Sequence, residues 1–234
     1  MSGDPGQQGR RSWVRGRPDD FVVVLWLLTV NYMLFAVTSA RWARVLVAVV
    51  YVVALVVTVR ASDPTPRQRR LLTWVVTGGG ALAAVAFATL PFDDASGVTD
   101  VMITAVLMLT LVMVVSRVLR HRTVTVQTLA GALSAYLLIG MTFTSLYAVL
   151  AWLGPQPFFV SASSQDLPDL QYFSFTTLTT LGYGDLTVAS GGARGVATFE
   201  ALVGQIFLAT LVASLVAAFR DERSRERGTG ADHP

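Results

Sequence analysis

Apolar runs of bilayer length alternate with clusters of arginine along this chain, and that alternation limits it to a multi-span membrane architecture. Six runs stand out, at about 21–37, 43–59, 71–90, 101–118, 129–153 and 195–219. A helix needs roughly 20 mainly apolar residues to cross the hydrocarbon core, and each run approaches or exceeds that length. Composition agrees, because 53% of residues are hydrophobic and only 14% are charged. The predicted fold class is an all-α integral membrane protein with six transmembrane helices per subunit.

The arginines set the orientation. All eighteen basic residues are arginine. Arg10, Arg11, Arg15 and Arg17 precede the first run. Arg60, Arg67, Arg69 and Arg70 follow the second, Arg117, Arg120 and Arg122 lie at and beyond the end of the fourth, and Arg220, Arg223, Arg225 and Arg227 follow the sixth. These clusters fall on alternate sides of a six-helix chain, whereas the loop 91–100 carries three aspartates and no arginine. By the positive-inside rule both termini are cytoplasmic. Arg41 and Arg44 are a mild exception. The same distribution explains the sequence pI of about 9.7 without nucleic acid as a partner. The lipid bilayer is the partner it implies.

The ends and linkers are simpler. Residues 1–18 are rich in Gly, Arg and Gln and read as a disordered cytoplasmic tail. Residues 19–126 hold four spans, 127–220 hold the fifth and sixth with the segment between them, and 221–234 form a charged cytoplasmic tail. The first run is longer than a signal-peptide core, so we read it as a retained helix. Gly78, Gly79 and Gly80 allow close helix approach or a kink, and Gly131 with Ala135 offers a small-residue packing face. There is no cysteine, which excludes disulfides and thiolate metal sites.

Between the fifth and sixth runs lies the most informative stretch, Tyr172-Phe-Ser-Phe-Thr-Thr-Leu-Thr-Thr-Leu-Gly-Tyr-Gly-Asp185. Pro168 is suited to a first helical turn, and Asp166 and Asp169 favour the same end. A short helix is predicted to follow, through Thr179. Thr180-Leu181-Gly182-Tyr183-Gly184-Asp185 then resembles the selectivity filter of potassium channels, with Leu181 where that family's signature has valine. The resemblance covers about residues 127–220: outer helix, re-entrant pore helix, filter and inner helix.

The resemblance implies a role for each residue. Backbone carbonyls of Thr180, Leu181, Gly182 and Tyr183, with the Thr180 hydroxyl, would coordinate K+ as the permeant ion. Gly182 and Gly184, having no Cβ, can take backbone angles that keep successive carbonyls pointing the same way. Tyr183 would brace the filter inside an aromatic cuff of Tyr172 and Phe173, Thr176 would support it from the pore helix, and Asp185 would draw cations to the outer mouth. Each chain has one filter, so four chains are needed, and a homotetramer in the cell membrane is implied. No other cofactor is implied.

Two residues of the sixth run are gating candidates. Glu200 is an acid at membrane depth, read either as a titratable group near Thr176 or Thr177 or as a hydrogen-bonded tie between helices. Gly204 sits where the inner helix of potassium channels often bends, and a small residue also permits close packing. Gln205 and Thr210 are candidates to line the inner cavity. The fourth run has no arginine between residues 101 and 116, so it lacks the charges a voltage sensor needs at membrane depth. The alternatives are a nonselective cation channel, a potassium-uptake transporter subunit and, remotely, a G-x-G-D intramembrane aspartyl protease. The protease reading lacks a second aspartate at a span centre.

Overall fold

The computed structural model describes residues 20–37, 57, 65–118, 126–154, 157–160 and 166–229. The helices in them are α1 (Asp20–Val37), α2 (Pro66–Thr89), α3 (Phe92–Val118), α4 (Val126–Leu153), α5 (Leu167–Leu178) and α6 (Gly191–Thr229). Four carry stretches long and apolar enough to cross a membrane: Pro66–Thr89, Phe92–Ser116, Thr128–Leu153 and Gly191–Ala217. The apolar stretch of α1, Phe21–Leu34, is shorter. Apart from residue 57, the expected second span lies outside the described residues. Four of the six expected spans therefore stand as full-length spanning helices.

Local chemistry explains the helix starts. Thr65 Oγ1 accepts the Gln68 N–H while Gln68 Oε1 accepts the Thr65 N–H, and Pro66 follows at the first position of α2. The expected loop 91–100 is a correction: α3 begins at Phe92 and absorbs nearly all of it. Asp93 and Asp94 occupy the first turn, where the helix dipole favours acids, and Pro91 O accepts the Ala95 N–H at 3.0 Å. Both α2 and α3 are thereby joined by a two-residue connection. The glycines of α2 do not break it. Gly79 instead lies against the Met102 side chain of α3, leaving no room for a Cβ.

α4 is the post of the structure, packed against α1, α3, α5 and α6. Its lower half joins Val24 and Leu28 of α1 to Leu107 and Val114 of α3 through Ala135 and Leu138. Its upper half builds a second cluster, with Tyr147 against Phe158, Phe159 and Phe173. Polar contacts hold α3 to α4: Thr104 and Ser145 hydroxyls lie 2.8 Å apart, and Trp152 Nε1 donates to Asp94 Oδ1 at 3.2 Å. Gly97 admits the Trp152 ring, because a Cβ there would stand 2.1 Å from Cδ2.

Candidate functional site

The site is built on the C-terminal end of α5. Asp166 caps the helix with extended backbone and Pro168 lies in its first turn, as the sequence predicts. At the other end the chain leaves the helix but stays tied to it. Thr180 N–H donates to Thr177 O at 2.9 Å, and the N–H groups of Leu181 and Gly182 both donate to Thr176 O, at 2.8 and 3.1 Å. In a planar trans peptide the N–H and the preceding C=O point in opposite directions. Three amides turned toward α5 therefore aim the carbonyls of Thr179, Thr180 and Leu181 away from it, on one common side.

The backbone angles agree with that count. Thr180, Gly182 and Gly184 have φ of 57°, 48° and 80°, so every second residue is left-handed. Alternating handedness counter-rotates successive peptide planes, which keeps a row of carbonyls on one side of a stretched chain. At the two glycines this is free of steric cost. At Thr180 it costs about 1–2 kcal/mol, held by the bonds to α5.

Side chains brace the far end. The rings of Tyr172 and Tyr183 are stacked with centroids 6.5 Å apart, and Tyr172 donates its hydroxyl to Asp185 Oδ2 at 2.9 Å. Of the expected cuff, only Tyr172 meets Tyr183 within the chain. Phe173 turns the other way, into Tyr147 at 5.1 Å and Phe159 at 5.4 Å, because it lies one residue on and so faces another side of α5. Thr176 supports the segment through its carbonyl, while its hydroxyl returns to Phe173 O.

α6 closes the site from behind. Gln205 Nε2 donates to Thr180 Oγ1 at 3.1 Å, so this residue does face the segment. Thr210 bonds its own helix, to Ile206 O. Gly204 presses on the last turn of α5, with Leu178 O only 2.3 Å from an ideal Cβ. Glu200 is fully buried, and its contacts correct the sequence expectation. Its partners are Ser174 and Tyr147, not Thr176 or Thr177: Ser174 Oγ lies 2.5 Å from Oε1, and Tyr147 donates to Oε2 at 2.6 Å.

Some contributors escape the sequence. Tyr136 donates to Leu178 O at 3.3 Å; a phenol within an apolar span is the one signal, since its hydroxyl needs a partner. Gly140 accepts Ser174 Oγ on its carbonyl and makes room for the Phe175 ring, 2.6 Å from an ideal Cβ. Residues 158–160 pair with 187–189 through Val160 N–H to Thr187 O and Ala189 N–H to Phe158 O, both 2.9 Å. Nothing in the sequence signals that pairing. Among the described residues no cluster of three or more His, Cys, Asp or Glu forms a metal site.

Residues 132–221 match the family model described as an ion channel. The matched part starts in α4, ends in α6 and includes all of α5 and the 180–185 segment. No curated protein and no solved structure matches the chain. The chain is thus a multi-pass membrane protein whose residues 132–221 are similar to an ion-channel domain, a likeness that supports ion passage rather than enzymatic turnover.

Proposed function

We propose that the chain is one subunit of a homotetrameric potassium channel, with Thr180 to Tyr183 as its selectivity filter. The observation that carries this is the 180–184 backbone: left-handed at every second residue, with the amides of Thr180, Leu181 and Gly182 tied to α5 and the carbonyls of Thr179, Thr180 and Leu181 on the opposite side. Four such rows around an axis replace the hydration shell of K+, and ions pass between adjacent carbonyl rings. The Thr180 hydroxyl serves the innermost ring. Tyr172, Tyr183 and Asp185 hold the outer end.

Other observations support the assembly. Phe199, Leu202 and Ile206 of α6 are exposed in the single chain, an apolar surface for a neighbouring copy or lipid. The arginine distribution supports cytoplasmic termini in the cell membrane. α3 carries no arginine from Phe92 to Val115, which supports a channel without an arginine voltage sensor.

Reversal potential in planar bilayers, with K+ on one side and Na+ on the other, tests the proposal. We expect a shift toward the potassium equilibrium potential, abolished by Gly182→Ala. A robust current reversing near zero would favour a nonselective cation channel instead, with Leu181 as the departure to examine first.

A further inference from the structure

The buried carboxyl of Glu200 is not part of the filter, yet it ties three helices together directly behind it. Hydrogen bonds need one proton each, and here the protons can be counted. Tyr147 of α4 gives its only hydroxyl proton to Glu200 Oε2. Ser174 of α5 also has one, but two acceptors lie in reach: Gly140 O at 2.9 Å and Glu200 Oε1 at 2.5 Å. An anionic Glu200 would take the Ser174 proton, leaving the Gly140 and Ser174 oxygens in contact with no proton between them. A carboxylic acid solves the count. Glu200 donates to Ser174, Ser174 donates to Gly140 O, and Tyr147 donates to Glu200.

Short contacts alone do not decide the matter, because hydroxyl bonds to a carboxylate anion are equally short. The third bond does, together with the surroundings. Glu200 is wholly buried, and among the described residues it forms no ion pair. The polar groups bonded to it are Tyr147 from α4 and Ser174 from α5, and the Tyr136 phenol of α4, which donates to Leu178 O, is the other titratable group within electrostatic reach. Arg194, on its own helix, is directed to Val188 O at 3.1 Å. A buried anion without a cation is strongly disfavoured.

We infer that Glu200 is held protonated and acts as a positioning residue, its carboxylic acid fixing α5 at Ser174 between α4 and α6. This rests on the reading of α5 as the pore helix. Ser174 lies two residues before Thr176, whose carbonyl holds the amides of Leu181 and Gly182. The chain of bonds therefore runs from Glu200 through α5 to the proposed filter.

The acid differs from an anion in a way that mutation can separate. An amide in place of the acid both donates to Ser174 and accepts from Tyr147. Glu200→Gln should retain the potassium current with unitary conductance within about two-fold of the parent protein. Glu200→Leu, of similar bulk, should lose at least ten-fold of its open-channel current.

Infrared spectroscopy of the purified protein in lipid, at neutral pH, reads the proton itself. We expect a protonated-carboxyl band that disappears in Glu200→Gln and shifts in Ser174→Ala. A carboxylate band lost in Glu200→Gln, with no protonated band, would overturn the inference. So would a folded, tetrameric Glu200→Gln protein that no longer conducts while the parent does. If the parent protein itself carries no current, the channel proposal fails, but the infrared result still decides the state of Glu200.

Discussion

An ideal Cβ on Gly204 would stand 2.3 Å from the Leu178 carbonyl oxygen, and that same oxygen accepts the Tyr136 hydroxyl. Three helices meet at this one atom: α4 through Tyr136, α5 through Leu178 and α6 through Gly204. The contact is with backbone, which cannot swing aside as a side chain does. Gly204→Ala should push α6 from α5 and cost about 1–3 kcal/mol. A lowered Tm of the assembled protein, alongside a reduced current, is the expected pair of results. An unchanged Tm with altered opening would point instead to a bend at this glycine.

Tyr172→Phe keeps the ring stacked on Tyr183 and removes only the bond to Asp185. The outer end of the proposed filter should then hold its shape less well. During sustained opening the current should decay faster, and most clearly at low external potassium. Asp185→Asn should have a smaller effect in the Tyr172→Phe background than alone. Full additivity of the two in decay rate would mean that they do not act as a pair.

Gly97→Ala probes packing far from the 180–185 segment. The added methyl enters the Trp152 ring, and overpacking of this kind costs about 1–3 kcal/mol. Thermal unfolding in detergent should show the loss. Reversal potential should stay where it was, since only the α3–α4 seam is touched. A change in ion preference would contradict that separation.

Gln205→Leu removes the donor to the Thr180 hydroxyl. One net hydrogen bond of about 0.5–1.5 kcal/mol corresponds to an effect of about two- to ten-fold. We expect unitary potassium conductance to fall within that range, while Gln205→Glu, which keeps the reach, should differ from it. Conductance unchanged in Gln205→Leu would show that the contact does not orient the innermost ring.

The sequence carried the parts of this structure that depend on chain-local chemistry. Pro168 and the acids around it marked the start of α5, and Gly182 and Gly184 marked two of the three left-handed positions. The third, Thr180, was not foreseeable from propensity, because a β-branched residue disfavours that angle and only tertiary bonds hold it there. The start of α3 was missed because Asp93, Asp94 and Gly97 read as loop composition. Two acids in a first turn and a glycine under Trp152 fit a helix equally well. Glu200 was visible as an acid at depth, but its partners depend on which faces α4, α5 and α6 present to one another. No single-strand pattern encodes that rotation.

α1 also reaches α5. The Tyr32 ring meets Phe175 edge-on with centroids 4.6 Å apart, and Gln171 Nε2 donates to Tyr32 O at 3.3 Å. α1 therefore packs directly on the flank of α5, and the cut at residue 126 that looks natural in the sequence separates two helices in contact. A chain trimmed to its ion-channel segment would leave the flank of α5 bare. Conversely, any force that tilts α1 in the bilayer is applied to α5 without an intermediary.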